Sequence, residues 1–307
     1  MKEKLDNICQ EIKFTLMAHI LNPMWHSRIK RRRRRGKYSY AKVEHYLKKY
    51  HDFAKNLPIE EKAELSKGDD KIFSIWYQGE QNAPKLVKLC FQRLKEIYGG
   101  RYVILDSESI SEWVDLPDYI WKKWNEGKIS KAHFSDICRV ALLYQHGGMW
   151  FDATDYLTSK VPEWIEEADL FIYQEGNRIT PGTLIQSCFM RAKKGHPLFG
   201  AWLKMIYKYW KEEDRLVHYF LLHYLLRFLV ENNPDISRLY YTMPQIDQTP
   251  THNLWHYNCD MPYSPEKYQE LTEDTFFQKT TFKSKRAETP IAGTMADYII
   301  NGITEKN

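Results

Sequence analysis

Apolar and polar positions alternate along the chain in two periods, which divide it into helices and short strands. Leu5, Ile8, Ile12, Leu16 and Ile20 recur at helical spacing, so the pattern predicts a helix over 5–25, ended by Asn22-Pro23. A second helix is expected over 40–53. From Lys71 the period changes. Ile72-Phe73-Ser74-Ile75-Trp76 reads as a buried strand stopped by Gln78-Gly79, and Pro84 to Tyr98 as a helix closed by Gly99-Gly100. Tyr102 to Leu105 reads as a strand, Ser111 to Asn125 and Ser130 to Tyr144 as helices, and Met149-Trp150-Phe151 as a third strand running into Asp152. Further strands are expected at 169–173 and 186–191, then a helix or helix pair over 198–232 and a loop-rich tail from 240.

Strand, helix, strand, two helices, strand is the order of parallel βαβ units. Ligands of such sheets bind beyond the carboxyl ends of the strands. Gln78, Asp106 and Asp152 all fall at such ends. The expectation is an α/β protein in two parts: a helical, basic N-terminal appendage over 1–70 and one ligand-binding domain over 71–307.

Charge sharpens that division. The first fifty residues hold fourteen basic and four acidic side chains, including the run Arg31 to Arg35, so they carry +10 and leave −5 for the rest of the chain. A basic run beside an amphipathic helix suits an anionic membrane surface, and it also suits a nucleic acid, since both are polyanions. Five scattered cysteines with no C-x-x-C pair argue for free thiols in a reducing compartment. No secretory signal is read at the N-terminus and no membrane span later, so the expected location is the cytoplasm, peripheral on the inner face of the plasma membrane. The 21 tyrosines and 10 tryptophans supply faces on which sugars or bases stack.

Two groups of residues could carry chemistry. Asp152 and Asp155 follow Gly147-Gly148 and a strand, where carboxylates can hold a divalent cation against a diphosphate. Asp136 and Arg139 lie three apart on one helical face, where a carboxylate can take hydroxyls and a guanidinium can take phosphate. Carboxylates at strand ends equally serve a metal-dependent phosphohydrolase or nucleotidyltransferase. The basic arm alone would serve a nucleic-acid-binding protein.

The string Ser135-Asp136-x-x-Arg139-x-x-Leu142-Leu143-Tyr144-x-x-Gly147-Gly148-x-Trp150-x-Asp152-Ala153-Thr154 resembles the DXD region of glycosyltransferase family 32, in its capsular polysaccharide synthesis branch. Ile75 to Glu80, Tyr102 to Asp106, Leu116 to Ile120, Lys194 to Pro197, His218 to Leu221 and Gln278 to Lys283 are similar to flanking signatures, so the likeness spans about 71–285. The resemblance implies a GT-A-like (Rossmann-like) fold, a nucleotide-sugar donor (usually UDP-linked), Mn²⁺ or Mg²⁺, retention of configuration, and a glycan or lipid-linked acceptor. It implies Trp76 at the nucleobase and Asp136 and Arg139 at the donor sugar and its phosphates; Tyr77, Gln78, Asp106, Ser109, Gly148 and Thr154 complete the expected donor site, with Ser109 a departure where relatives often carry Asn. Asp152 would be the first metal-holding acid. The second DXD position falls on Thr154, and Asp155 comes one residue late. Either Asp155 reaches the metal, or a C-terminal group (His252, Asn253, His256) completes it.

Overall fold

The computed structural model describes residues 39–60, 65–175 and 182–302. The expected helix at 5–25 and the arginine run lie outside these residues.

The body is a five-stranded sheet built from β1 (Ile72–Ile75), β2 (Tyr102–Leu105), β3 (Gly148–Phe151), β5 (Leu170–Gln174) and β6 (Ile185–Ala192), in the order β2-β1-β3-β6-β5. A separate two-stranded ribbon joins β4 (Asp155–Leu157) to β7 (Phe277–Lys279). β1 runs parallel to both β2 and β3, as the βαβ order predicts. β6 is antiparallel to both of its neighbours, so the sheet is mixed.

Period-two alternation sorts the sheet's two faces. Phe73, Ile75, Trp150, Ile172 and Met190 enter one core; Ile72, Met149, Phe151, Phe171 and Phe189 enter the other. Half of the second core is aromatic, and it takes Phe276 and Phe277 from the far end of the chain.

Helices cover these faces. α1 (Lys85–Tyr98) buries Leu86, Val87, Cys90, Phe91 and Leu94 and ends on Gly99 at φ 53°. The helix expected over 111–125 is instead two pieces, residues 110–113 and α2 (Asp118–Asn125), separated at Leu116-Pro117. The proline ring disfavours helical backbone at the residue before it, so the break is local chemistry. α3 (Lys131–His146) begins at a Ser130 cap on the His133 amide and leads into β3. The segment over 198–232 resolves as the pair α4 (Pro197–Glu212) and α5 (Leu221–Asn232). The tail is less loop-like than expected: it holds α6 (Pro234–Thr242), helices Pro265–Thr272 and Met295–Asn301, and β7.

Of the basic N-terminal region, residues 39–47 and His51–Lys55 are helical. Tyr40, Val43, Leu47, Tyr50, Ala54 and Leu57 share the core of α4 and α5. Asn233 Nδ2 donates to the carbonyls of Ala54 (3.0 Å) and Leu57 (3.1 Å), and Glu213 accepts from Tyr46, Lys49 and Tyr50.

Candidate active site

The carboxyl ends of β2, β1 and β3 lie side by side over roughly 10 Å, two interstrand spacings. Asp152 stands at the end of β3. Its amide donates to the Cys188 carbonyl (2.8 Å) and to Asp155 Oδ2 (3.1 Å), and the Asp155 amide returns to the Asp152 carbonyl (2.9 Å). The tight turn so formed starts β4, which pairs with β7 in a register that sets Asp155 opposite Lys279. Thr154 is pinned by its carbonyl, which accepts from the Thr280 amide (2.8 Å) and hydroxyl (2.7 Å).

Helical spacing places His133, Asp136 and Arg139 on one face of α3. The Arg139 guanidinium is buried over the Trp150 ring, 4.9 Å from its centre. Its Nη1 donates to the Ser187 carbonyl (2.7 Å) and hydroxyl (3.0 Å) and lies 3.1 Å from Asp152 Oδ1; its Nη2 lies 3.1 Å from Asp136 Oδ1. Trp150 Nε1 donates to the same Asp152 oxygen (2.9 Å), and Lys279 Nζ to the other, Oδ2 (2.6 Å). Asp136 and Arg139 from α3 and Asp152 from the end of β3 therefore form one cluster. Lys279 completes it from β7.

The electrostatics follow from burial and pairing. Burial pushes the Asp152 carboxyl up, but Arg139, Lys279 and the Trp150 hydrogen bond outweigh it and hold the group below the usual carboxylate range. Asp155, with no exposed side-chain surface, is pushed up to about 7, by burial first and by the neighbouring Asp152 charge. Burial works against the charged form of Lys279, but Asp152 and Asp155 together raise it. Behind Arg139, the Ser187 hydroxyl lies 3.1 Å from His223 Nε2, and burial holds that imidazole down to about 4 and hence neutral. Ser187 and His223 carry no expected role in the sequence, and Lys279 enters it only within the Gln278 to Lys283 stretch.

The other expected donor residues are distributed more widely. Trp76 is half-buried, meets Phe282 edge to face at 5.3 Å, and packs in the same small cluster as Ala153. Its indole N–H has no partner. Tyr77 stacks on Trp124 at 5.4 Å and donates to the Lys131 carbonyl, so its hydroxyl is engaged towards α3. Asp106 Oδ1 accepts from the amides of Glu108 and Ser109 and from the Ser109 hydroxyl (2.8 Å), a local turn that lowers its carboxyl. Gln78 is exposed at the neighbouring strand end.

Gly148 is not brought to Asp152. It begins β3, at φ 98°, where a Cβ would stand 2.0 Å from the Lys71 carbonyl oxygen. The glycine serves a close backbone crossing at the amino end of the strand. A cleft of about 520 Å³ opens at that edge, lined by Leu65, Leu170, His196, Pro197 and Met243 among others. It lies across the sheet from Asp152 and holds no part of the charged cluster.

The cluster does not fit a divalent cation as arranged. A carboxylate offers about four lone-pair positions, and Asp152 has three occupied by Trp150, Arg139 and Lys279. Lys279 Nζ also lies 3.1 Å from Asp155 Oδ1, so an ammonium stands between the two acids. Cation–oxygen distances of ~2.0–2.6 Å would claim the same space. Among the described residues no three His, Cys, Asp or Glu side chains converge as a metal group. His252 and His256 face each other at 4.9 Å, and the His252 Nδ1 lies 2.7 Å from the Thr251 hydroxyl.

The fold is a mixed α/β domain with a fixed carboxylate and an arginine at its parallel strand ends, the edge at which open α/β sheets generally take ligands. Residues 23–299 match the family model described as capsular polysaccharide synthesis protein, and the chain belongs to that family. Over 188 residues it is 28% identical to O-glycosyltransferase braB of Annulohypoxylon truncatum, an alignment covering 56% of this chain. The chain spans 44% of that protein's length. A solved structure, PaToxG Glycosyltransferase, is similar at 16% identity with a TM-score of 0.39, over 68% of this chain and 85% of that one. No helix among the described residues is long and apolar enough to cross a membrane.

Proposed function

We propose that the protein transfers a sugar from a nucleotide-sugar onto a polysaccharide or lipid-linked acceptor. The donor would lie across the carboxyl ends of β2, β1 and β3. The observation that carries this reading is the convergence of Asp136, Arg139 and Asp152 at the end of β3, in a member of a capsular polysaccharide synthesis family.

In the reaction, the bond from the anomeric carbon to the diphosphate oxygen breaks and a bond to the acceptor hydroxyl oxygen forms. The acceptor's proton passes to the departing nucleoside diphosphate, so the products are a glycoside and a protonated diphosphate. Charge grows on the leaving group, and fixed cations nearby are worth most where water is excluded. Arg139 is such a cation. Asp152, its side chain 24% exposed, offers one open lone pair to a sugar hydroxyl. Trp76, half-buried at the end of β1, offers a ring face on which a base could stack.

A UDP-linked donor, retention of configuration and a GT-A-like arrangement are part of the same proposal, drawn from the resemblance of 71–285 to family 32. So is membrane docking through Arg31 to Arg35, which removal of residues 1–37 would test by co-sedimentation with anionic vesicles. The central reading is tested by a thermal-shift panel of nucleotide-sugars, because a bound donor raises the melting temperature by mass action. At least one nucleotide-sugar should raise it and be turned over in the presence of an acceptor. A panel in which none binds would refute the reading.

A further inference from the structure

The second acid of a metal-holding pair is missing at Thr154, and the acid that follows it, Asp155, is committed elsewhere. We propose that Lys279 is the resident cation of this site: its ammonium occupies the position between Asp152 and Asp155 that a divalent ion would take, and transfer proceeds without one. This deepens the glycosyltransfer reading and rests on it only for the role in turnover.

Three observations carry the assignment. The β4–β7 register fixes Lys279 opposite Asp155, and the double hydrogen bond from Thr280 to the Thr154 carbonyl locks that register one residue further on. The Lys279 side chain is 17% exposed; its Nζ donates to Asp152 Oδ2 (2.6 Å) and stands 3.1 Å from Asp155 Oδ1, an ion-pair contact to an oxygen that has no hydrogen bond of its own, so it sits between the two acids. Asp155 is wholly enclosed, with its remaining oxygen spent on the Asp152 amide, so it has no face for an ion arriving with substrate.

The consequences are chemical. Removing one charge from a buried, paired set leaves its partners uncompensated, so a metal would have to expel an ammonium already paired with Asp152 and lying beside Asp155. A lysine can serve as a fixed positive point for a diphosphate as a bound metal does. It differs in not exchanging and in ignoring chelators. Asp155 then acts as the positioning residue that aims Lys279, which explains an acid placed one residue late.

The test reads metal binding before it reads activity. Free Mn²⁺ is followed by its electron paramagnetic resonance signal as purified protein is added, at Mn²⁺ up to about 1 mM. The wild-type protein should leave the signal unchanged. Lys279→Met, which opens the space between the two acids, should deplete it by gaining a site. Lys279→Arg, which retains the charge, should behave as wild type. Wild-type depletion that a folded Asp152→Asn protein abolishes would overturn the proposal, whether or not the Lys279 variants fold. With a nucleotide-sugar found by thermal shift, turnover should persist in EDTA and fall at least ~100-fold in Lys279→Met. Loss of wild-type turnover in EDTA with restoration by Mn²⁺ would also overturn it. A panel with no binding donor would instead count against the glycosyltransfer reading and leave the Mn²⁺ result to decide the role of Lys279.

Discussion

Two buried arginines stand at opposite ends of β3. Arg139, beyond its carboxyl end, meets Asp152 and Asp136. Arg191, at its amino end, donates instead to the carbonyls of Glu166 (2.8 Å), Gly148 (3.1 Å) and Ala192 (2.6 Å). Burial disfavours the charge of both. The two acids more than offset it for Arg139, whereas Arg191 is held below the usual arginine range. The carbonyls engage Nε and Nη1 of Arg191 and leave its buried Nη2 without a partner, and carbonyls cannot answer to a substrate. Carboxylates that keep an open side can. The difference between a structural ion and a working one here lies in its partners, since depth of burial is similar.

Substitutions can break that contrast in order of size. Arg139→Met should cost transfer about 4 kcal/mol of transition-state stabilisation, roughly a thousandfold in turnover, read by initial rates on the donor found by thermal shift. Arg191→Met should lower unfolding stability by about 3 kcal/mol, through three lost hydrogen bonds and orphaned carbonyls, while turnover per folded molecule stays unchanged. If the two variants behave alike, the contrast fails.

The amino edge also makes a pH prediction. Burial holds His196 down to about 4, and its Nδ1 accepts from the Leu198 amide at the start of α4. The unfolded chain protonates that imidazole near 6.5, so between about 6.5 and 4 the unfolded state binds more protons and stability falls as pH falls. The loss approaches about 3 kcal/mol at the lower limit. His196→Asn keeps a cap without the titration and should flatten urea-derived stability across that window. His223, held at about 4 in the same way, should leave part of the slope. A slope unchanged in His196→Asn would show that this group is not its source. Smallest of the set, Asn233→Ala should cost about 1–2 kcal/mol by freeing residues 54–57 and uncapping α6, measured by chemical denaturation. Its effect on turnover should be slight, because the segment lies across α4 and α5 from Asp152.

The parallel half of the sheet was legible in the chain because each part announces itself locally. β1, α1, β2, α3 and β3 are contiguous periodic runs bounded by glycine or proline, and Asp136, Arg139 and Asp152 follow from a three-residue helical step and a strand end. Lys279 lies in the Gln278 to Lys283 stretch that resembles a family signature, but its pairing with Asp152 was not legible. Its strand is three residues long and pairs with one more than a hundred positions earlier, so no window contains both partners. Ser187 lay on an anticipated strand, but only the antiparallel pairing with β3 turns it to Arg139. His223 sits in an apolar helix that reads as core. Gly148 misled because glycine signals a close approach without saying which backbone approaches: here it is Lys71. Leu116-Pro117 was the one break present in the local pattern and passed over.

Asp152 is the side chain on which the functional account turns. The direct measurement is turnover of a bound nucleotide-sugar by Asp152→Asn, with circular dichroism confirming a folded protein. The account predicts a loss of about 100-fold or more, as for removal of one fixed transition-state contact. A folded Asp152→Asn protein that transfers sugar at the wild-type rate would contradict it.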